Sequence, residues 1–202
     1  MPAEVAYAKA LFWFRRDLRD EDNAGLHFAL TGASAVYCVF VFDREILDPL
    51  HSRADRRVEF IWESVRELAA ALERLGGGLI VRHARASEEI PRLAAGLGVN
   101  AVFTNEDYEP AARARDDAVE AALKGAGIAM HRAKDHAIFA RDEIMTQGGG
   151  SFSVFTPYRN AWLKKLDDSR LRAYPVAPYA ARLARPATSA TIPALELSLI
   201  HI

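Results

Sequence analysis

The sequence predicts a doubly wound α/β domain. Short apolar runs alternate with helix-like stretches between residues 10 and 131. The longest run, AVYCVFVF at 35–42, shows no polar alternation, which is how a parallel strand covered on both faces reads. Strand and helix in strict alternation imply a parallel sheet with helices on both sides. In such sheets ligands lie beyond the carboxyl ends of the strands, where the strand order reverses. The segments to watch are therefore the loops at 15–23, 43–47 and 105–109.

Taken in order, residues 10–14 form a first strand, and Asn23 is placed to cap a helix running to Leu30. Residues 35–42 are the second strand. Val58, Ile61, Trp62, Val65, Leu68, Ala69, Leu72 and Leu75 recur at steps of three and four, an amphipathic helix stopped by glycines 76–78. Residues 79–81 give a third strand. Ser87 is the expected cap of the next helix, with Glu88, Glu89 and Pro91 in its first turn. Residues 99–104 form a fourth strand, 110–126 an alanine-rich helix and 128–131 a fifth strand. Beyond residue 138 the pattern changes. The triglycine 148–150 is expected to be flexible, residues 152–166 are aromatic and basic with a short helix from Pro157, and Pro175, Pro178, Pro186 and Pro193 mark a linker. The division expected is an α/β domain at 1–140 and an exit segment and linker at 141–202. The apolar tail 197–202 matches no linker logic and reads as a cloning or frameshift remnant.

A formal charge of -1 gives no basic excess for a domain devoted to nucleic acid. The single cysteine, Cys38, sits in an apolar run and reads as core. His51, His83, His131 and His136 lack metal spacing, so no metal is expected. The absence of a signal pattern or a bilayer-length apolar run points to a cytoplasmic protein with no membrane partner. Glycines 76–78 close a helix rather than open one, and no phosphate loop of the Walker type is present. A stand-alone dehydrogenase or an ATP-binding stress-type domain is disfavoured on that ground.

Three motifs carry more. WFRRDLRDEDN at 13–23 packs three arginines against four acids just past the first strand. Physically it reads first as a salt-bridge knot and second as a ligand site. NEDYEP at 105–110, with RARD at 113–116, follows the fourth strand, and FSVFTPYRNAW at 152–162 leads out of the domain. In order and spacing these segments resemble the photolyase/cryptochrome family over roughly the first 166 residues. The resemblance implies a Rossmann-like five-stranded sheet of order 3-2-1-4-5, with the RRDLR and NEDYE loops on one crevice. It also implies an N-terminal domain that supports a helical domain carrying FAD, which lies outside this sequence.

The function so implied is that of a deoxyribodipyrimidine photolyase, a flavoprotein lyase that uses blue light to split cyclobutane pyrimidine dimers in UV-damaged DNA. This chain alone is expected to be inactive. The alternative is a cryptochrome-type photoreceptor without repair activity. The resemblance also implies an antenna chromophore. Ala111 and Ala112 stand where folate-type relatives carry an Asn-Glu pair, so methenyltetrahydrofolate is disfavoured. Arg57 and Asp107 match deazaflavin-type positions, with Val41, Phe42 and Asp43 as one wall. The competing reading is that Arg57 and Asp107 are surface charges beside an empty pocket. Trp13, Trp62 and Trp162 are expected in the core. The full-length protein is expected to be a monomer, while this piece is expected to dimerise artificially through Phe152, Phe155 and Trp162.

Overall fold

A computed structural model describes residues 5–50 and 55–187. His51, Pro193 and the tail at 197–202 lie outside the described residues. Five parallel strands, β1 (Tyr7–Phe14), β2 (Ala33–Asp43), β3 (Leu79–Ala84), β4 (Ala101–Asn105) and β5 (Ala129–Ala133), form one sheet in the order β3-β2-β1-β4-β5. The central register pairs Phe12 with Cys38 on one side and with Phe103 on the other. The reversal of order falls between β1 and β4, as expected.

Side chains alternate across the sheet, and this builds two cores. Phe12, Phe14, Cys38, Phe40 and Phe42 pack against α1 (Ala24–Gly32) and α3 (Arg56–Arg74). Leu11, Trp13, Val39 and Val41 pack against α4 (Ala86–Leu97) and α5 (Pro110–Gly125) on the opposite face. A four-residue α2 (Arg44–Leu47) follows β2. Burial pushes the Cys38 thiol up to about 12, so it stays a protonated core group. Of the three tryptophans only Trp13 is fully buried. Trp62 and Trp162 are half-buried, the latter packed edge-on against Phe139 at 5.4 Å.

Two local expectations are corrected. Helix α4 begins at Ala86, so Ser87 lies inside it; the helix-terminal Ala86 N–H is met instead by Asp43 Oδ1 from the end of β2. Pro91 therefore sits in the helix interior, where its missing N–H leaves the Ser87 carbonyl without its helical donor. The triglycine lies in a turn closed by Thr146 N–H donating to Gly150 O at 2.8 Å.

The segment expected as a linker is a strap. A short 3-10 helix at Ala177–Arg182 lays Val176 and Leu183 into the first core. Ala184 N–H donates to Val36 O at 2.8 Å, on the stretch of β2 that runs past its pairing with β3. Arg182 donates to the carbonyls of Leu30 and Thr31 at the end of α1, and Arg185 to that of Gly76 after α3. Cations there complement the negative ends of the helices. Helix α6 (Phe155–Lys165) has no fully buried side chain, and Trp162 is its contact with Phe139.

Candidate functional site

The loops at the carboxyl edge of the sheet are joined by a buried ladder of alternating charge. Arg15, past the end of β1, donates to Asp116 of α5 at 2.5 Å and to the carbonyl of Asn105. Arg115 approaches Asp116 at 3.4 Å and Asp43 at 3.5 Å. Both guanidinium groups lie over the Trp13 ring, at 4.9 and 5.1 Å from its centre. Asp43 Oδ1 accepts from Glu45 and Ala86 N–H, fixing the starts of α2 and α4. Burial lowers the pKa of Arg15, an effect opposed by the Asp116 charge. On the outer side Arg16 holds Asp107 at 3.0 Å and Glu109 at 2.5 Å, so the RRDLR and NEDYE loops do share one crevice.

A second network closes the start of α1. Its first three N–H groups donate to Asp135 Oδ1 (Ala24, 2.9 Å), Asn105 Oδ1 (Gly25, 2.8 Å) and Asn23 Oδ1 (Leu26, 3.1 Å). In a doubly wound fold those donors face the crevice and can take a phosphate. Here they are occupied by the protein's own side chains. Gly25 permits this: a Cβ there would meet Asn105 Oδ1 at 2.5 Å and the Phe12 ring at 2.8 Å. Arg19 joins Asp17 and Asp135, both at 2.6 Å. Burial, with the hydrogen bond shared with Asp17, holds Asp135 up at about 6. Burial pushes Asp17 upward too, but hydrogen bonds with Arg19 and Asp135 outweigh it and its net shift is downward. Asp17, Asp135 and His136 bring ligand atoms within 4.8 Å of one another, with the Arg19 guanidinium already seated against the two carboxylates.

The five residues nominated for an antenna chromophore are placed unequally. Val41 and Phe42 are buried in opposite cores, as neighbours on a strand must be, so they cannot form one wall. Arg57 is exposed and bonded to Asp55 at 2.5 Å. Asp107 is buried and paired with Arg16. Asp43 is buried on the ladder, and it alone of the five has an unsatisfied buried atom, Oδ2, facing Arg115, whose Nε is likewise buried without an acceptor. The ladder thus brings Asp43 towards the crevice that Asp107 borders and leaves Arg57 apart. Asp43 Oδ2 faces Arg115 Nη1 at 3.5 Å, and the five residues do not converge on one site. Arg115, Asp116 and Asp135 escaped nomination. RARD was visible as a motif, but its pairing across the sheet is a tertiary fact.

A sequence model described as DNA photolyase matches residues 10–179. The chain is 36% identical over 155 residues to a deoxyribodipyrimidine photo-lyase of Synechococcus sp. (strain ATCC 27144 / PCC 6301 / SAUG 1402/1), covering 77% of this chain and 32% of that protein. It is 32% identical over 154 residues to a cryptochrome DASH of Natronomonas pharaonis, covering 74% and 32%. Among solved structures, a bacterial class III photolyase from Agrobacterium tumefaciens superposes with a TM-score of 0.79 at 24% identity, over 96% of this chain and 39% of that one. An archaeal photolyase from Sulfolobus tokodaii, solved with two FAD molecules and described as implying a novel light-harvesting cofactor, superposes with a TM-score of 0.65 at 26% identity, over 90% and 44%. The chain spans about a third of the length of these two curated relatives. With its 3-2-1-4-5 parallel sheet and crevice-lining motifs, this chain belongs to the DNA photolyase family, in which relatives named photo-lyase and cryptochrome share its N-terminal α/β domain.

Proposed function

We propose that this chain is the α/β part of a deoxyribodipyrimidine photolyase acting on UV-damaged DNA, a soluble cytoplasmic protein whose helical, FAD-carrying part lies beyond residue 202. The observation that carries this reading is α6. None of its side chains is fully buried, and Val154, Phe155 (73% exposed) and Leu163 leave apolar surface of the kind that a further domain covers. The division proposed is an α/β unit at 1–140 and an exit segment at 141–202 that leads to that face.

Reduced FAD, when bound in the whole protein, supplies the light-driven electron donation that dimer splitting requires. The residues of this chain do positional work. The Arg15–Asp116–Arg115–Asp43 ladder fixes the strand-end loops, and the asparagines and Asp135 at α1 keep phosphate out of the crevice.

An antenna chromophore, deazaflavin-type rather than folate-type, is proposed at the end of β2. Support comes from Asp43 Oδ2 and Arg115 Nε, buried without a hydrogen bond although the two residues meet at 3.5 Å, and from Ala111 and Ala112, which offer no side-chain hydrogen bond. Blue-light repair of dimer-containing DNA tests the reading. The whole protein should repair, and the 202-residue chain should not. Repair by the chain alone overturns it. Binding of FAD without repair by the whole protein would favour a photoreceptor instead, a reading that the cryptochrome relative supports.

A further inference from the structure

Two carboxyl groups share one arginine beside the start of α1. Arg19 holds Asp17 through Nε at 2.6 Å and Nη2 at 2.7 Å, and the same Nη2 reaches Asp135 Oδ2 at 2.6 Å. The two aspartate side chains are 10% and 3% exposed, and they are hydrogen-bonded to each other. A hydrogen bond between two carboxyl groups needs a proton on one of them. Without that proton, one guanidinium faces two negative charges that water barely reaches.

Asp135 joins four parts of the chain. Its Oδ1 accepts the Ala24 N–H at 2.9 Å, and its Oδ2 accepts from Arg19 and, at 3.3 Å, from Asn105 Nδ2. One side chain thus ties the loop after β5 to α1, to the loop after β1 and to the end of β4. Arg19 grips Asp17 with two bonds and Asp135 with one, so with both ionised it stays with Asp17. Asp135 is then the group that moves. It lines, with Arg19, a cleft of about 500 Å³ between these loops and the segment after α6. The other charged groups around the pair are His136, with Nε2 3.9 Å from Asp17, Asp22, 4.0 Å from Arg19, and Lys134, Arg170 and Arg172 on the cleft wall. Lys134 and Arg170 are engaged by Glu143.

We propose that the Asp17–Asp135 pair is a proton-operated latch. With the proton shared, the loop after β5 is closed on the start of α1; without it, Asp135 turns into the cleft and uncaps Ala24. Burial and the hydrogen bond with Asp17 raise Asp135 from 3.8 to about 6, so the latch is closed in mild acid and opens as pH rises through that value. The assignment stands on the geometry of the pair and does not depend on the photolyase reading. Amide NMR of the 202-residue chain between about pH 5 and 7 tests it with an internal control. Ala24 N–H is held by the titrating carboxyl, whereas Leu26 N–H is held by Asn23. The Ala24 resonance and its protection from exchange should change with a midpoint near 6, and those of Leu26 should change little. Asp135→Asn keeps an acceptor for Ala24 and a donor for Asp17, so it should hold the closed form throughout. Asp17→Asn removes the competing charge and should lower the midpoint by about one pH unit. His136→Gln should leave the transition in place. An Ala24 change no larger than that of Leu26 overturns the proposal. So does a transition that survives in Asp135→Asn, keeps its midpoint in Asp17→Asn, or disappears in His136→Gln.

Discussion

Asp116→Ala removes the carboxylate that two buried arginines share. The Arg15 and Arg115 side chains are 9% and 10% exposed, and both lie over Trp13. Without Asp116, Arg15 retains only the Asn105 carbonyl, and two like charges share one ring. Removing one partner of a buried pair costs about 3–5 kcal/mol, because the remaining charge cannot return to water. A domain of this size has about 5–15 kcal/mol in total. With a urea slope of about 2 kcal/mol per molar, the unfolding midpoint should fall by about 1.5–2.5 M. The double variant Arg15→Met with Asp116→Leu removes both charges and keeps volume. Its midpoint should lie well above that of Asp116→Ala, short of the parent because Asn105 O loses its donor. Urea unfolding followed by tryptophan fluorescence reads both. A single variant as stable as the parent, or a double variant no better than the single, would refute the view that the ladder is a tightly coupled buried pair.

Gly25→Ala should cost about 1–3 kcal/mol by overpacking, visible as a lower melting temperature, since the added methyl meets Asn105 Oδ1 at 2.5 Å. Asp135 is raised from 3.8 to about 6, so its contribution to stability is present below pH 4 and is lost as pH rises through about 6. Asp17 is lowered and acts in the opposite sense, losing its contribution as pH falls, and the pair titrates together beside Arg19 and His136. Asp135→Asn should therefore flatten stability between pH 4 and 6; an unchanged slope in urea midpoints across that range would show that the proton resides elsewhere. Leu183→Ala should cost about 2–5 kcal/mol if the strap is core, whereas a linker residue would change the urea midpoint negligibly.

The fold was legible because its signals are local. The unalternating run at 35–42 and the three-four spacing from Val58 to Leu75 each name an element without reference to the rest of the chain. The strap was misread for the same reason. Pro175, Pro178 and Pro186 report correctly that no long helix forms there, but they say nothing about Leu183 and Val176 entering the core or about Arg182 finding the end of α1. Composition reads backbone preference; docking is decided by partners about 150 residues away. Ser87 failed as a cap in the same way, since the acceptor for the start of α4 comes from Asp43 in another strand.

The candidate site was legible in its motifs and not in its pairings. RRDLR and RARD both stand out as charge clusters, yet one arginine from each meets the same aspartate and the same tryptophan face. The closure of α1 follows the same logic. A glycine at the start of the first helix of a doubly wound fold ordinarily suggests close approach of a phosphate. Here Gly25 admits the side chain of Asn105, and Asn23 and Asp135 satisfy the neighbouring N–H groups. A helix terminus so satisfied has no donor left for an anion. Buried polar atoms without a hydrogen bond lie elsewhere, at Asp43 and Arg115 by the end of β2 among others. The fold keeps the sheet and the crevice while its own side chains fill the position where this architecture usually takes a phosphate.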